Sequence, residues 1–258
     1  MSATNLQQNR DDWLTLVPHG QFVTRQWLLA QGVTLHAFDN AVKSAKLMPL
    51  ARGVYTRSDV PVAWQGVSAS LNRVLDGPVY VGGLSALAQH GLAHYISFST
   101  VIELYSPLPV PSWLGRLKIA TSINWHSTTR IWDTSALLKS GSLKTISIHQ
   151  GEWLLASPEQ AFLEVLALVP STISFEQADN IMQGLVNLSP RRLDSLLKSC
   201  KHVQVKRLFF FFADRYQHAW RQKLHAEDYD LGAGKRSIVA DGKLDTTYNI
   251  TVPEIFHG

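Results

Sequence analysis

The sequence predicts an α+β protein: an N-terminal winged helix-turn-helix followed by a larger mixed α/β C-terminal domain with a helical last third. Three observations carry this. Two amphipathic segments separated by Gly32 precede a hairpin pattern within the first sixty residues. β-branched and aromatic runs cluster between residues 101 and 150. Helix-period apolar spacing with Ser-Pro starts dominates from residue 157 onward. The domain boundary is set at residue 60, giving 1–60 and 61–258.

The elements follow in order. Leu6 to Leu16 has the spacing of a short amphipathic helix that stops before Pro18, and Gly20 breaks the chain. Thr24 is an N-cap for Arg25 to Gln31, which Gly32 ends, and Thr34 caps a third helix, Leu35 to Leu47. On that helix Leu35, Phe38, Ala41, Val42 and Ala45 share the apolar face at i, i+3, i+4 spacing, and His36, Asp39, Asn40, Lys43 and Ser44 fall away from it. Pro49 stops it, and LARGVYTRSD reads as a hairpin turning at Arg52-Gly53. Beyond Pro61 a helix is expected from Ala63 to Leu75, a strand from Pro78 to Val81 and a helix from Leu84 to Gln89. VIELYS (101–106), LKIATSI (117–123), TRIWD (129–133) and TISIHQ (145–150) read as strands of a mixed sheet. Helices are expected at Pro158 to Leu168, Phe175 to Leu188, Pro190 to Ser199 and Val203 to Leu224, with further strands in the tail SIVADGKLDTTYNITV.

Composition narrows the function classes. The chain has 258 residues, a formal charge of +4, 45% hydrophobic content and one cysteine, Cys200, which excludes wholesale disorder and an intrachain disulfide scaffold. Its longest apolar runs fall well short of the ~20 residues that span a bilayer, and the polar N-terminus lacks a signal-peptide core, so a cytoplasmic protein without membrane association is expected. The charge is uneven. Residues 1–58 hold 6 basic and 3 acidic side chains, 59–190 hold 6 and 9, and 191–258 hold 12 and 8. Basic ends around an acidic middle suggest nucleic-acid contact.

The helix at 35–47 is the leading candidate for that contact. In a helix-turn-helix the second helix enters the major groove, where Asn suits adenine and Lys suits guanine or phosphate. His36, Asn40, Lys43, Ser44 and Lys46 are placed for this, with Arg25, Arg52 and Arg57 as phosphate clamps on either side. The alternative is a solvated polar face. A second basic stretch offers Arg191, Arg192, Lys198, Lys201, Lys206 and Arg207, to be read either as a phosphate-binding or partner surface or as an ordinary solvated helix face.

Catalytic and metal patterns are weak. Gly83-Leu84-Ser85-Ala86-Leu87 departs from a nucleophile elbow at Leu87, where a second Gly belongs, so a helix start is the simpler reading. His90 and His94 lack a visible orienting group, and Gly234-Lys235-Arg236 lacks the residues of a phosphate loop. Asp241 and Asp245 beside Lys243 lack the Glu-x-Lys pair of a nuclease strand. Ten histidines without metal-site spacing predict neither metal nor cofactor.

Four pieces in order resemble a known family: LARGVYTR (50–57), GGLSALAQHGLAHY (82–95), SPEQAFLEVL (157–166) and GKRSIVADGKLDTTYNITVP (234–253). The chain resembles the AbiEi antitoxins of bacterial type IV toxin–antitoxin systems, in the longer subgroup with an N-terminal winged helix. The resemblance implies a non-enzymatic repressor of its own operon that binds double-stranded promoter DNA, often at inverted repeats. It further implies that the C-terminal domain counters a nucleotidyltransferase-like toxin without a stable complex. From the residues alone two alternatives stay open: a DNA- or RNA-processing enzyme targeted by the winged helix, and an effector-responsive regulator.

Overall fold

The computed structural model describes residues 12–92, 101–148 and 151–257. It divides into two compact units. One comprises residues 1–80, 100–125 and 145–154, the other 81–99, 126–144 and 155–258.

The first unit begins with a 3-10 turn at Asp12–Leu16; the start of the expected first helix, residues 6–11, lies outside the described residues. β1 (Phe22–Thr24) leads directly into α1 (Arg25–Ala30), because Thr24 ends the strand and accepts a hydrogen bond from Trp27 N at 3.1 Å as N-cap. α2 (Leu35–Lys43) starts in the same way on Thr34. It ends four residues before the expected Leu47. Ser44 Oγ bonds back to Asn40 O at 2.8 Å, Ala45 adopts φ 57°, and Leu47 already belongs to a strand.

That strand, β2 (Leu47–Ala51), and β3 (Val54–Arg57) form the hairpin, which turns at Gly53 with φ 80°, a backbone conformation that favours glycine. β1 pairs antiparallel with β3, Val23 opposite Tyr55, giving the order β1-β3-β2. Sequence reading missed β1, whose three residues are too few for a periodic signal. Leu14, Val17, Val23, Leu28, Val33, Phe38, Ala41 and Leu47 close the core beneath. Two helices joined by a short Gly turn and followed by a hairpin make a winged helix-turn-helix.

The rest of this unit continues that core. α3 (Trp64–Val74) supplies Ser70 Oγ, which accepts from Phe22 N at 2.8 Å, and Gly66, where a Cβ would stand 1.9 Å from Gly20 O. Only glycine permits that close approach. Trp113 packs edge-on to Phe22, and Lys118 N donates to Leu50 O at 3.1 Å. Most of a five-stranded sheet also lies in this unit. Its strands are β4 (Tyr80–Val81), β5 (Val101–Ser106), β6 (Ser122–Ser127), β7 (Leu143–Ile148) and β8 (Gly151–Ala156), in the order β6-β5-β4-β8-β7. The expected strand at 117–123 is therefore displaced to β6, β8 was missed, and residues 149–150 of the expected 145–150 strand fall outside the described residues.

The second unit is largely helical, with α4 (Gly83–Gln89), α5 (Thr134–Lys139), α6 (Pro158–Leu166), α7 (Phe175–Gly184), α8 (Pro190–Ser199) and α9 (Val203–Asp214). The expected strand at 129–133 is corrected: only Trp132 forms an isolated bridge, to Cys200, and Asp133 then caps α5 through Ala136 N. α6 is buried along Glu159 to Leu166. α9 places Phe209, Phe210 and Phe212 fully inside and ends at Asp214, ten residues before the expected Leu224, where the chain turns back. β9 (Lys243–Asp245) and β10 (Ile250–Val252) pair antiparallel as the expected tail strands.

Candidate nucleic-acid interface

The polar face of α2 follows from its register. Phe38 and Ala41 point into the core, and Phe38 meets Tyr55 edge-on at 4.9 Å, so His36, Asn40 and Lys43 are turned outward. Together with Trp13, Ala37, Ala41, Ser44 and Lys46 they line one groove of about 620 Å³. All five polar residues named on this helix and its C-terminal turn thus meet in one place, each exposed. Within the groove the Asn40 amide nitrogen lies 3.0 Å from His36 Nε2, one helical turn away. That contact uses one of the amide's two N–H groups and leaves the other, with the carbonyl oxygen, for a base edge. Ser44 differs: its hydroxyl already donates to Asn40 O, so its hydrogen is committed to closing the helix.

Leu35 and Ala45 are corrected. Helical spacing puts both on the buried face, yet Leu35 is 50% exposed at the first turn of α2 and Ala45 lies beyond the helix end, also exposed. Helical spacing alone misplaces residues at the ends, where the chain enters and leaves the core at an angle. Leu35 is therefore an addition to the candidate face, apolar and beside His36. Met48, 45% exposed on β2, is another large apolar side chain that hydropathy gave no reason to place outside.

The flanking arginines divide. Arg57 lines a neighbouring groove with Lys46, Ser58 and Asp59, and its guanidinium lies 3.1 Å from His19 Nε2. His19 Nδ1 in turn approaches Asp59 at 2.5 Å, a surface chain that orients Arg57. Arg25 and Arg52 line a different groove, with Gln26, Gly53, Leu75 and Trp113. Arg25 stacks over Phe38 at 5.5 Å, and its backbone N–H donates to Gly53 O, tying the helix start to the wing.

The second basic stretch is not one surface. Lys206 and Arg207 are buried, at 5% and 2% exposure, and are corrected as surface candidates. Arg207 donates to the carbonyls of Leu231, Gly232, Gly234 and Asn249 at 2.7 to 3.0 Å. Burial, with Arg236 as a lesser cause, lowers its pKa. Arg192 grips both carboxylate oxygens of the buried Glu159, and Lys198 pairs with Asp194 at 2.9 Å. Arg191 and Lys201 remain exposed.

The fragments that suggested catalysis have structural partners. Gly83 N–H donates to Glu164 Oε2 at 3.0 Å, Ser85 is buried, and His90 Nε2 lies 2.9 Å from Ala156 O; His94 lies outside the described residues. Glu164 Oε1 also accepts from Trp132 Nε1 and Gln160 Nε2, while Gln160 accepts from Ser142. Gly234 serves Arg207 in a turn, Lys243 pairs with Glu254, and Asp245 accepts from Tyr248 N. Among the described residues no group of three or more His, Cys, Asp or Glu side chains is set to hold a metal, and no helix is long and apolar enough to cross a membrane.

Comparison with known proteins adds the family. The chain is similar in fold to the RV2827C protein of Mycobacterium tuberculosis, at 16% identity and a TM-score of 0.51, with 89% of this chain and 85% of that one covered. No curated protein matches it in sequence. Residues 7–98 match the model described as "Transcriptional regulator, AbiEi antitoxin N-terminal domain". Residues 99–253 match that of "Transcriptional regulator, AbiEi antitoxin, Type IV TA system". The two matches follow one another along the chain and together span residues 7–253, and the chain belongs to the AbiEi antitoxin family of type IV toxin–antitoxin systems.

Proposed function

We propose that this protein represses its own operon by binding double-stranded promoter DNA through the α2 face, and that it counters a nucleotidyltransferase-like toxin through its second unit without a stable complex and without catalysis. The observation that carries the reading is the convergence of His36, Asn40, Lys43 and Lys46 in one groove on the second helix of a helix-turn-helix. Asn40 and Lys43 contact base edges, His36 holds Asn40, and Lys46 with Arg57 lies toward one backbone strand. Arg25 and Arg52, which line a separate groove, supply further phosphate contacts. The residues up to Arg57 form the DNA-reading part, although the compact unit around them extends through segments far along the chain.

The test is co-expression of the full chain with the product of the neighbouring gene, scored for growth rescue, in parallel with a reporter driven by the upstream promoter. An Asn40→Ala/Lys43→Ala variant is expected to lose repression and keep rescue. Loss of both would show that neutralisation acts through repression, and retention of both would remove α2 from DNA reading.

A further inference from the structure

Most cations of the second unit with a side-chain contact are accounted for by it: Arg207 has its four carbonyls, and Arg192, Lys198, Arg215, Arg221 and Lys243 pair with carboxylates. Arg130, Lys201, Lys206 and Arg236 form no ion pair among the described residues. They belong to three stretches of chain that backbone pairing draws together. Lys201 N donates to Ile131 O at 2.8 Å, and Trp132 bridges Cys200, which sets Arg130 beside the start of α9. From the first turns of α9, Arg207 pulls in the carbonyls of residues 231, 232 and 234, bringing the loop that carries Arg236 to the same place.

Two further groups point the same way. Lys206 is 5% exposed as a residue, forms no ion pair among the described residues, and its charge acts on the Cys200 thiol, so it reaches toward residues 200–202. His202 Nδ1 is also buried without a partner. Burial, then Arg236, then Arg130 lower the His202 pKa, so both guanidiniums lie within electrostatic reach of it.

We propose that Arg130, Lys201, Lys206 and Arg236 form a binding site for phosphate groups, carried either by a nucleotide or by an RNA backbone. Two guanidinium forks match pairs of phosphate oxygens, and two ammonium groups add point charges. A single carboxylate would leave most of this charge uncompensated, whereas a polyphosphate or successive phosphodiesters would not. This site is separate from the α2 face and does not depend on the reading of that face.

The experiment titrates the full-length protein with inorganic pyrophosphate, ATP and a single-stranded RNA oligonucleotide, each by calorimetry. Saturable binding is expected, weakened roughly tenfold or more in Arg130→Ala/Arg236→Ala, a change of about 1.4 kcal/mol or more. Both arginines are exposed, so the double variant keeps the fold. Lys206→Met serves as an independent variant: it is expected to fold at least as stably and to lose the ligand-induced rise in Tm. Binding of ATP and pyrophosphate as tight as that of RNA identifies a nucleotide site; binding of RNA alone identifies the backbone as the source. Absence of saturable binding to all three probes, or equal binding by the wild type and the double variant, overturns the proposal.

Discussion

The winged-helix face and the helices of the second unit carry the same kinds of side chain in opposite roles. On α2, Asn40 and Lys43 stand exposed, their positions fixed by Phe38 and Ala41 beneath them. In the second unit Glu159, Gln160, Glu164 and Arg207 point inward, each bonded to backbone or to another buried group. A polar residue with free valences on a rigid helix is available to a ligand, and one whose valences are filled by the chain holds the fold. Counting charges does not distinguish the two; counting acceptors does.

The contrast predicts that inward groups control stability and outward groups control binding. Glu164→Ala leaves Gly83 N–H, Trp132 Nε1–H and Gln160 Nε2–H without this acceptor, at about 1–3 kcal/mol for each buried donor that finds no other. Its urea midpoint is expected to fall by several kcal/mol equivalent, and an unchanged midpoint would break the comparison at its strongest point. Arg207→Met strips four carbonyls of their donor and is expected to destabilise by about 2–4 kcal/mol, with residues 231–252 gaining hydrogen exchange first. Uniform exchange throughout the second unit would instead assign Arg207 a global role.

Outward groups are expected to behave conversely. Asn40→Ala or Lys43→Ala weakens specific promoter binding by about 1–3 kcal/mol in an anisotropy titration and leaves the urea midpoint in place. Unchanged affinity would show the face to be merely solvated. Arg52→Ala or Arg57→Ala is expected to weaken all DNA sequences alike, each lowering the slope of log affinity against log salt by about one. A loss confined to one sequence would sharpen the comparison by turning a presumed phosphate contact into a base contact.

The amphipathic spacing of α2, the Thr24, Thr34 and Ser189 caps and the Gly53 turn were legible because each acts over three or four neighbouring residues. β1 was not, since its pairing partner β3 lies far along the chain; nor was β8, which follows β7 directly but pairs on its other side with the distant β4. Likewise, nothing local marks Arg207 as buried: its acceptors are 24 to 42 residues away. The resemblance pieces SPEQAFLEVL and GKRSIVADGKLDTTYNITVP prove to contain Glu159, Gln160 and Glu164 of the buried network and two of the four Arg207 acceptors, Gly234 and Asn249, so they report on architecture. The candidate DNA face was readable because it belongs to one helix and its turn, whereas the cluster around Lys206 is assembled from three stretches and was not.

The compact unit that holds the winged helix is built from residues 1–80, 100–125 and 145–154, interleaved with those of its companion. A gene fusion joined at a single codon near residue 60 would sever Phe22 from Ser70 and Trp113, and Leu50 from Lys118. Such a crossover could not graft the winged helix onto another partner as an intact module. Lineages that recombine here are expected to inherit both halves together, so that change in the α2 face proceeds by substitution rather than by exchange of domains.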